Sequence, residues 1–265
     1  MLELTDTTGF CRCYLPQMPK IWDISPSVNA QSPVFPGDTA YAQTWVANIG
    51  PGCPVNVSAI TLSPHVGAHA DAPLHYDPTG KAIGDVDLEA FIGPCRVIHA
   101  IGCGPLVQWH HIEHALSDPQ SSGAQGPGDQ PQGRSQGGST PLGGSDPRSG
   151  GARGPGTIPE RVLVRVYEHM PLDAFDTQLP AFAPETVTRL ADLGVKLIGI
   201  DSASIDPADS KALLSHQVIR ERGLRVLENL LLDDVPEGDY ELIALPLKLT
   251  TADASPVRAI LRTLP

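Results

Sequence analysis

The sequence predicts a single mixed α/β domain carrying one long flexible insert. Three features lead there. Short apolar runs rich in β-branched residues recur along the chain. Two stretches carry helix start and stop signals. One low-complexity segment, residues 119–157, separates two otherwise ordered blocks.

Taken in order, IWDI (21–24) and residues 41–48 read as extended. CRVIHAI (95–101) reads as a strand, residues 106–116 as a short helix, and RVLVRV (161–166) as another strand. PETVTRLADLG (184–194) puts Pro at a helix start, Val187, Leu190 and Leu193 on one side, and Gly194 at the stop. KLIGID (196–201) is a buried strand. Residues 210–222 are helical in part and end at Gly223, and LRVL (224–227) is strand-like. Residues 240–249 and 257–264 are further strand candidates. There is no internal repeat.

The insert holds 12 of the chain's 26 glycines, one large aliphatic residue (Leu142) and no aromatic. Such a stretch cannot bury enough apolar area to offset its ordering entropy. Strand-like segments flank it on both sides, which favours an expanded loop within one domain over an interdomain linker. The expected organisation is an extension over residues 1–17 and a catalytic domain over 18–265, interrupted by 119–157, with Met18 as an alternative start.

Composition excludes several function classes. A chain of 265 residues with 41% hydrophobic content can bury a substantial core. Its 18 basic against 30 acidic residues argue against nucleic-acid binding, which needs clustered Lys and Arg. No apolar run approaches the ~20 residues of a membrane helix. The first twenty residues lack the basic-then-apolar order of a secretory signal. The five cysteines (Cys11, Cys13, Cys53, Cys95, Cys103) are odd in number and form no C-x-x-C pair. They read as free thiols in a reducing cytosol, so a cytoplasmic protein is expected.

The chemistry concentrates in SPHVGAHADAPLHYD (63–77). His65, Gly67, His69, Asp71, Pro73 and His75 alternate with Val66, Ala68, Ala70, Ala72 and Leu74. That is the period of an extended chain with one packed face and one chemically loaded face. A helix would suit His65 and His69, but Gly67 and Pro73 disfavour one. Four residues of straight strand span ~13 Å, too far for two imidazoles to share an ion, so the chain must bend, and Gly67 permits it. Imidazole with carboxylate suits zinc or a similar borderline divalent ion.

Other candidates carry less. His216 and Glu228 flank LRVL at a spacing that is not diagnostic alone. His110 and His114 share a face of a short helix that reads as solvated surface. GRSQG (133–137) matches the pattern of a serine-hydrolase elbow but lies inside the insert, away from the strand and helix that elbow needs. DSASIDPADSK (201–211) follows a strand end. It could line the site or simply form turns.

The H-x-G-x-H-x-D-x-P-x-H pattern at residues 65–75 resembles the metal-dependent cyclase superfamily. IWDISP (21–26), PVFPGDT (33–39), LIGIDSASIDPADSK (197–211), LDDVPEGDYELIALPLKL (232–249) and DASPVRAILR (253–262) resemble, within it, the bacterial kynurenine formamidases. The resemblance covers residues 18–118 and 158–265. It implies a swivelling β/β/α architecture, a homodimer, and zinc-dependent hydrolysis of N-formyl-L-kynurenine to L-kynurenine and formate in tryptophan degradation. It further implies two zinc ions per subunit: His65, His69 and Asp71 on the first, Asp71 with His216 on the second, and Glu228 on both. His75 would be the proton donor and acceptor, and Phe35 would contact substrate where relatives carry Trp. Asn229 stands where Gly is expected, and the insert exceeds the usual short loop. The motif alone also fits another amide or lactam hydrolase or a cyclase of the superfamily. A non-enzymatic metal-binding interaction protein is a further alternative.

Overall fold

A computed structural model describes residues 19–116 and 158–264. The extension, Met18, the insert 119–157, Cys11, Cys13 and the GRSQG motif lie outside the described residues. In chain order the elements are β1 (Ile21–Asp23), β2 (Ala42–Ala47), β3 (Val57–Thr61), β4 (His69–Asp71), α1 (Pro73–Tyr76), β5 (Ile92–His99), β6 (Leu106–Val107) and α2 (Trp109–Ile112). They continue with β7 (Arg161–Arg165), β8 (Ala181–Phe182), α3 (Pro184–Asp192), β9 (Leu197–Ile200), α4 (Leu214–Arg222), β10 (Arg225–Glu228), β11 (Gly238–Ile243), β12 (Ala254–Pro256) and β13 (Ile260–Thr263).

Among the described residues nine strands form one mixed sheet in the order β1-β13-β11-β5-β7-β9-β10-β4-β12. The central β5, β7, β9 and β10 run parallel and the flanking pairs antiparallel. β5 and β7, on either side of residues 117–157, are direct neighbours. The sheet must curl. β12 and β13 occupy positions nine and two in the order, about 34 Å apart in a flat sheet at ~4.8 Å per strand. The chain from Pro256 to Ile260 reaches at most ~14 Å.

Alternation along the central strands builds two cores, as expected for parallel strands buried on both faces. Leu163, Leu197 and Leu227 join Phe91, Leu242 and Leu261 on one face. Val162, Val164, Ile198, Ile200 and Val226 join Val187 and Leu190 of α3 and Ile219 of α4 on the other. α3 starts at Pro184 as read, and Gly194 and Gly223 both take positive φ after their helices.

Several expectations need correction. Residues 65–75 are not one ribbon but a turn, the three-residue β4 and the one-turn α1. Pro73, read as opposing a helix, occupies the helix's first positions, where its missing N–H costs nothing. The alternation still holds locally: Val66, Ala68, Ala70 and Ala72 are buried. Residues 106–116 are not a continuous helix, because Leu106–Val107 is claimed by parallel pairing with β8. β11 stops at Ile243, before Pro246, which has no N–H for a ladder. Residues 257–264 yield a strand only from Ile260, while β12 lies just before them and β3 was not anticipated. Among the described residues β2 and β3 pair only with each other, as a hairpin exposed along nearly its whole length.

Candidate metal centre

The sheet parity positions the centre. In β4 and β10, Ala70 and Leu227 point into one core, so His69, Asp71 and Glu228 take the other face, beneath α4. Glu228 is the direct register partner of His69. His216, in the first turns of α4, comes down onto the same face, its Nε2 3.4 Å from Asp71 Oδ2 and 3.7 Å from Glu228 Oε1. Both β9 and β10 end here, and a crevice beyond strand carboxyl ends is where open α/β sheets take ligands.

His65 reaches the group from the preceding turn because the chain bends at Gly67. Gly67 has φ +71°, and a Cβ there would lie 2.6 Å from Val28 Cγ2. The Gly67 carbonyl then accepts the Nδ1–H of His69 at 2.9 Å. A carbonyl can only accept, so in the neutral ring the lone pair of His69 falls on Nε2, 3.5 Å from Asp71 Oδ1 and 3.2 Å from Glu228 Oε2. His65 Nδ1 is 3.1 Å from Asp71 Oδ1.

Among the described residues, three groups of side chains bring their ligand atoms within 4.8 Å of one another: His65, His69 and Asp71; Asp71, His75 and His216; and His65, His75 and Asp253. Atoms ~2.1 Å from one tetrahedral ion lie ~3.4 Å apart, close to the separations among His65, His69, Asp71 and Glu228. His69 Nε2 and Asp71 Oδ1 are buried without completing a hydrogen bond among the described residues. Buried polar atoms are normally satisfied. Their convergence, with the imidazole–carboxylate donor set, fits a divalent cation.

Electrostatics agrees. Burial pushes the Asp71 carboxyl up, but His216 and His65 beside it more than reverse this and hold it well below the usual carboxylate range. Burial pulls His65 down, yet Asp71 and Asp253 push it up to about 9. Burial likewise opposes His216, which Asp206 and Asp71 raise to about 10. The carboxylates therefore favour positive charge at this point.

All five expected metal ligands are brought together: His65, His69, Asp71, His216 and Glu228. His75, on α1, lies beside them, its ring centroid 4.4 Å from that of His65 and 5.9 Å from that of His216. Phe35 lines the adjoining cavity of about 610 Å³, edge-to-face with Phe175 at 5.0 Å. Asn229 takes φ +56°, the conformation that makes Gly natural there and that Asn tolerates best among other residues.

Residues 201–211 do both things open to them. Ile205 N–H donates to Glu228 Oε1 at 2.7 Å and Asp206 supports His216, while Asp206 N–H closes a turn on Ser204 Oγ. His110 and His114 are exposed. The residues missed are Asp206 and Asp253. Asp206 stood within a segment already singled out. Asp253 opens a segment that carried the resemblance, but no spacing ties it to the centre, since its contacts to His65 and His75 span 188 and 178 residues.

Known proteins share this fold in outline. The "Putative cyclase" family matches residues 22–124. A structure described as a potential metal-dependent hydrolase with cyclase activity superposes with TM-score 0.68 at 23% identity, over 94% of this chain and 100% of its own. An isatin hydrolase with a bound product analogue, thioisatinate, superposes with TM-score 0.67 at 18% identity over 93% of each chain. The fold is therefore that of the cyclase-type metal-dependent hydrolases. Kynurenine formamidase of Paracidovorax citrulli is 65% identical over 243 residues, 92% of this chain and 96% of that one. That of Bordetella pertussis is 54% identical over 247 residues, 93% and 100% respectively. The chain belongs to the kynurenine formamidase family.

Proposed function

We propose that this chain hydrolyses N-formyl-L-kynurenine to L-kynurenine and formate, as an arylformamidase of tryptophan degradation. The observation that carries the reading is the convergence of His65, His69, Asp71, His216 and Glu228 in a chain so similar to kynurenine formamidases.

Zinc is the proposed metal, with two ions per subunit. The two carboxylates support that count. Asp71 turns Oδ1 toward His65 and His69 and Oδ2 toward His216, and Glu228 turns Oε2 toward His69 and Oε1 toward His216. Each thus offers one oxygen to either side. Such cations supply Lewis acidity, lowering the pKa of water toward ~7 and polarising a carbonyl oxygen.

The chain's own groups do the rest. His75 accepts a proton from the attacking water and delivers it to the aniline nitrogen as the C–N bond breaks, help typically worth ~10²–10⁴ in rate. Phe35 and Phe175 offer an aromatic wall for the aryl ring. The cavity is within the usual range for small-molecule sites.

A homodimer is part of the reading. The β2–β3 hairpin exposes Trp45, Val46, Ile49, Val55 and Ile60. An isolated two-stranded hairpin is marginal in water, and a second copy would cover these side chains. A cytoplasmic location is supported by the unbonded Cys53, Cys95 and Cys103. Among the described residues no helix is long and apolar enough to cross a membrane.

Metal analysis with an N-formylkynurenine assay before and after chelation tests the proposal. The expected result is about two zinc ions per chain, with turnover lost on chelation and restored by zinc. Full turnover by the chelated protein would overturn it.

A further inference from the structure

We propose that Asp253 is a positioning residue that sets the tautomers of two catalytic-centre histidines at once; this rests on the formamidase reading above. Its Oδ2 lies 3.0 Å from His65 Nε2 and 3.1 Å from His75 Nδ1. A carboxylate oxygen only accepts, so both ring nitrogens facing it carry hydrogen. In the neutral ring that ligates a metal, His65 therefore leaves its other nitrogen, Nδ1, for the ion, on the side of Asp71 Oδ1 at 3.1 Å. His75 keeps its lone pair on Nε2, the nitrogen left to exchange a proton with substrate. One oxygen thus fixes a ligand and the proton carrier in complementary roles, the arrangement by which a second carboxylate usually orients a working imidazole.

The backbone holds Asp253 in place. Its carbonyl accepts the Ala72 N–H at 2.8 Å, and the next residue, Ala254, is the register partner of Asp71. Residue 253 is thereby locked beside the segment that joins Asp71 to His75. The side chain is partly open to the cavity and bonds only these two rings among the described residues' side chains.

The test uses Asp253→Ala and Asp253→Asn in the zinc-loaded enzyme. At saturating zinc, Asp253→Ala is expected to lower kcat by about 10- to 100-fold with KM within about threefold and the sites still filled. Asp253→Asn, which keeps one accepting oxygen, should fall between it and the parent, and serves if the alanine variant does not fold. Nitrogen-15 NMR of histidine-labelled, chelated protein gives a readout without substrate. The His75 signal, assigned by its loss in His75→Gln, should report Nδ1–H in the parent and a shift toward Nε2–H in Asp253→Ala. An unchanged tautomer, an unchanged kcat, or zinc lost in proportion to activity would each overturn the proposal. Failure of the formamidase reading shows separately, as a zinc-loaded parent inert toward N-formylkynurenine.

Discussion

Asp206 accepts the Nδ1–H of His216 at 2.7 Å, and both side chains are buried. The same carboxylate also accepts the backbone N–H groups of Ser215 and His216 at 2.9 and 3.0 Å. It therefore caps α4 from outside the helix, whose own N-cap, Leu213, offers no side-chain oxygen. One residue fixes both the helix that carries the proposed ligand and, once the ring is neutral, the tautomer that frees its Nε2.

Replacing Asp206 with Ala should accordingly weaken metal retention by about 10- to 100-fold, the usual effect of removing a carboxylate behind a ligating histidine. Competition with a chelator of known affinity measures this. Unaltered retention would show that the contact is structural only.

Gly67 is where the backbone turns His65 and His69 toward one point. Ala there must accept φ +71° and push against Val28. The left-handed conformation alone costs about 1–2 kcal/mol. Gly67→Ala should lower the Tm and reduce bound metal together. A variant with parental Tm and full metal content would show that the bend does not depend on glycine.

His75 stands beside the ligand group without a place in the set of five. His75→Ala should therefore keep its zinc and lose most turnover, whereas His65→Ala and Asp71→Ala should lose both. Metal content alongside kcat separates these outcomes. Loss of zinc from His75→Ala would make His75 a ligand instead.

The pH dependence follows from His65 and His216, held at about 9 and about 10 by the carboxylates around them. Both lie above the unfolded value near 6.5. Folding therefore takes up protons between these limits. In chelated protein the stabilisation should be fully present below pH 6.5 and fade as pH rises through 9 to 10. Zinc added near pH 7 should displace protons, because ligating imidazoles are neutral. Tm against pH for chelated protein, with proton release in weak buffer, checks both. A flat Tm from pH 6 to 10 would contradict the first.

The sequence by itself determined the local chemistry of residues 65–75. The residue types there suit a borderline divalent metal, and Gly67 permits the bend that is needed because no straight strand brings His65 and His69 to one ion. It also determined the central strands, since the apolar runs at 161–166 and 196–201 can only be satisfied with both faces covered. It did not determine how far each element runs. β4 is three residues long because β10 and β12 flank only that stretch, and residues 106–107 became a strand because β8 lies beside them. Only the tertiary structure decided that Glu228 faces His69, that His216 descends from α4, and that Asp253 joins His65 to His75. Those contacts cross 159, 145 or more residues in chain position, and the pairing of β4 with β10 and β12, beneath α4, creates them. Periodicity carries which way a side chain points along its own strand, but not which distant strand lies opposite.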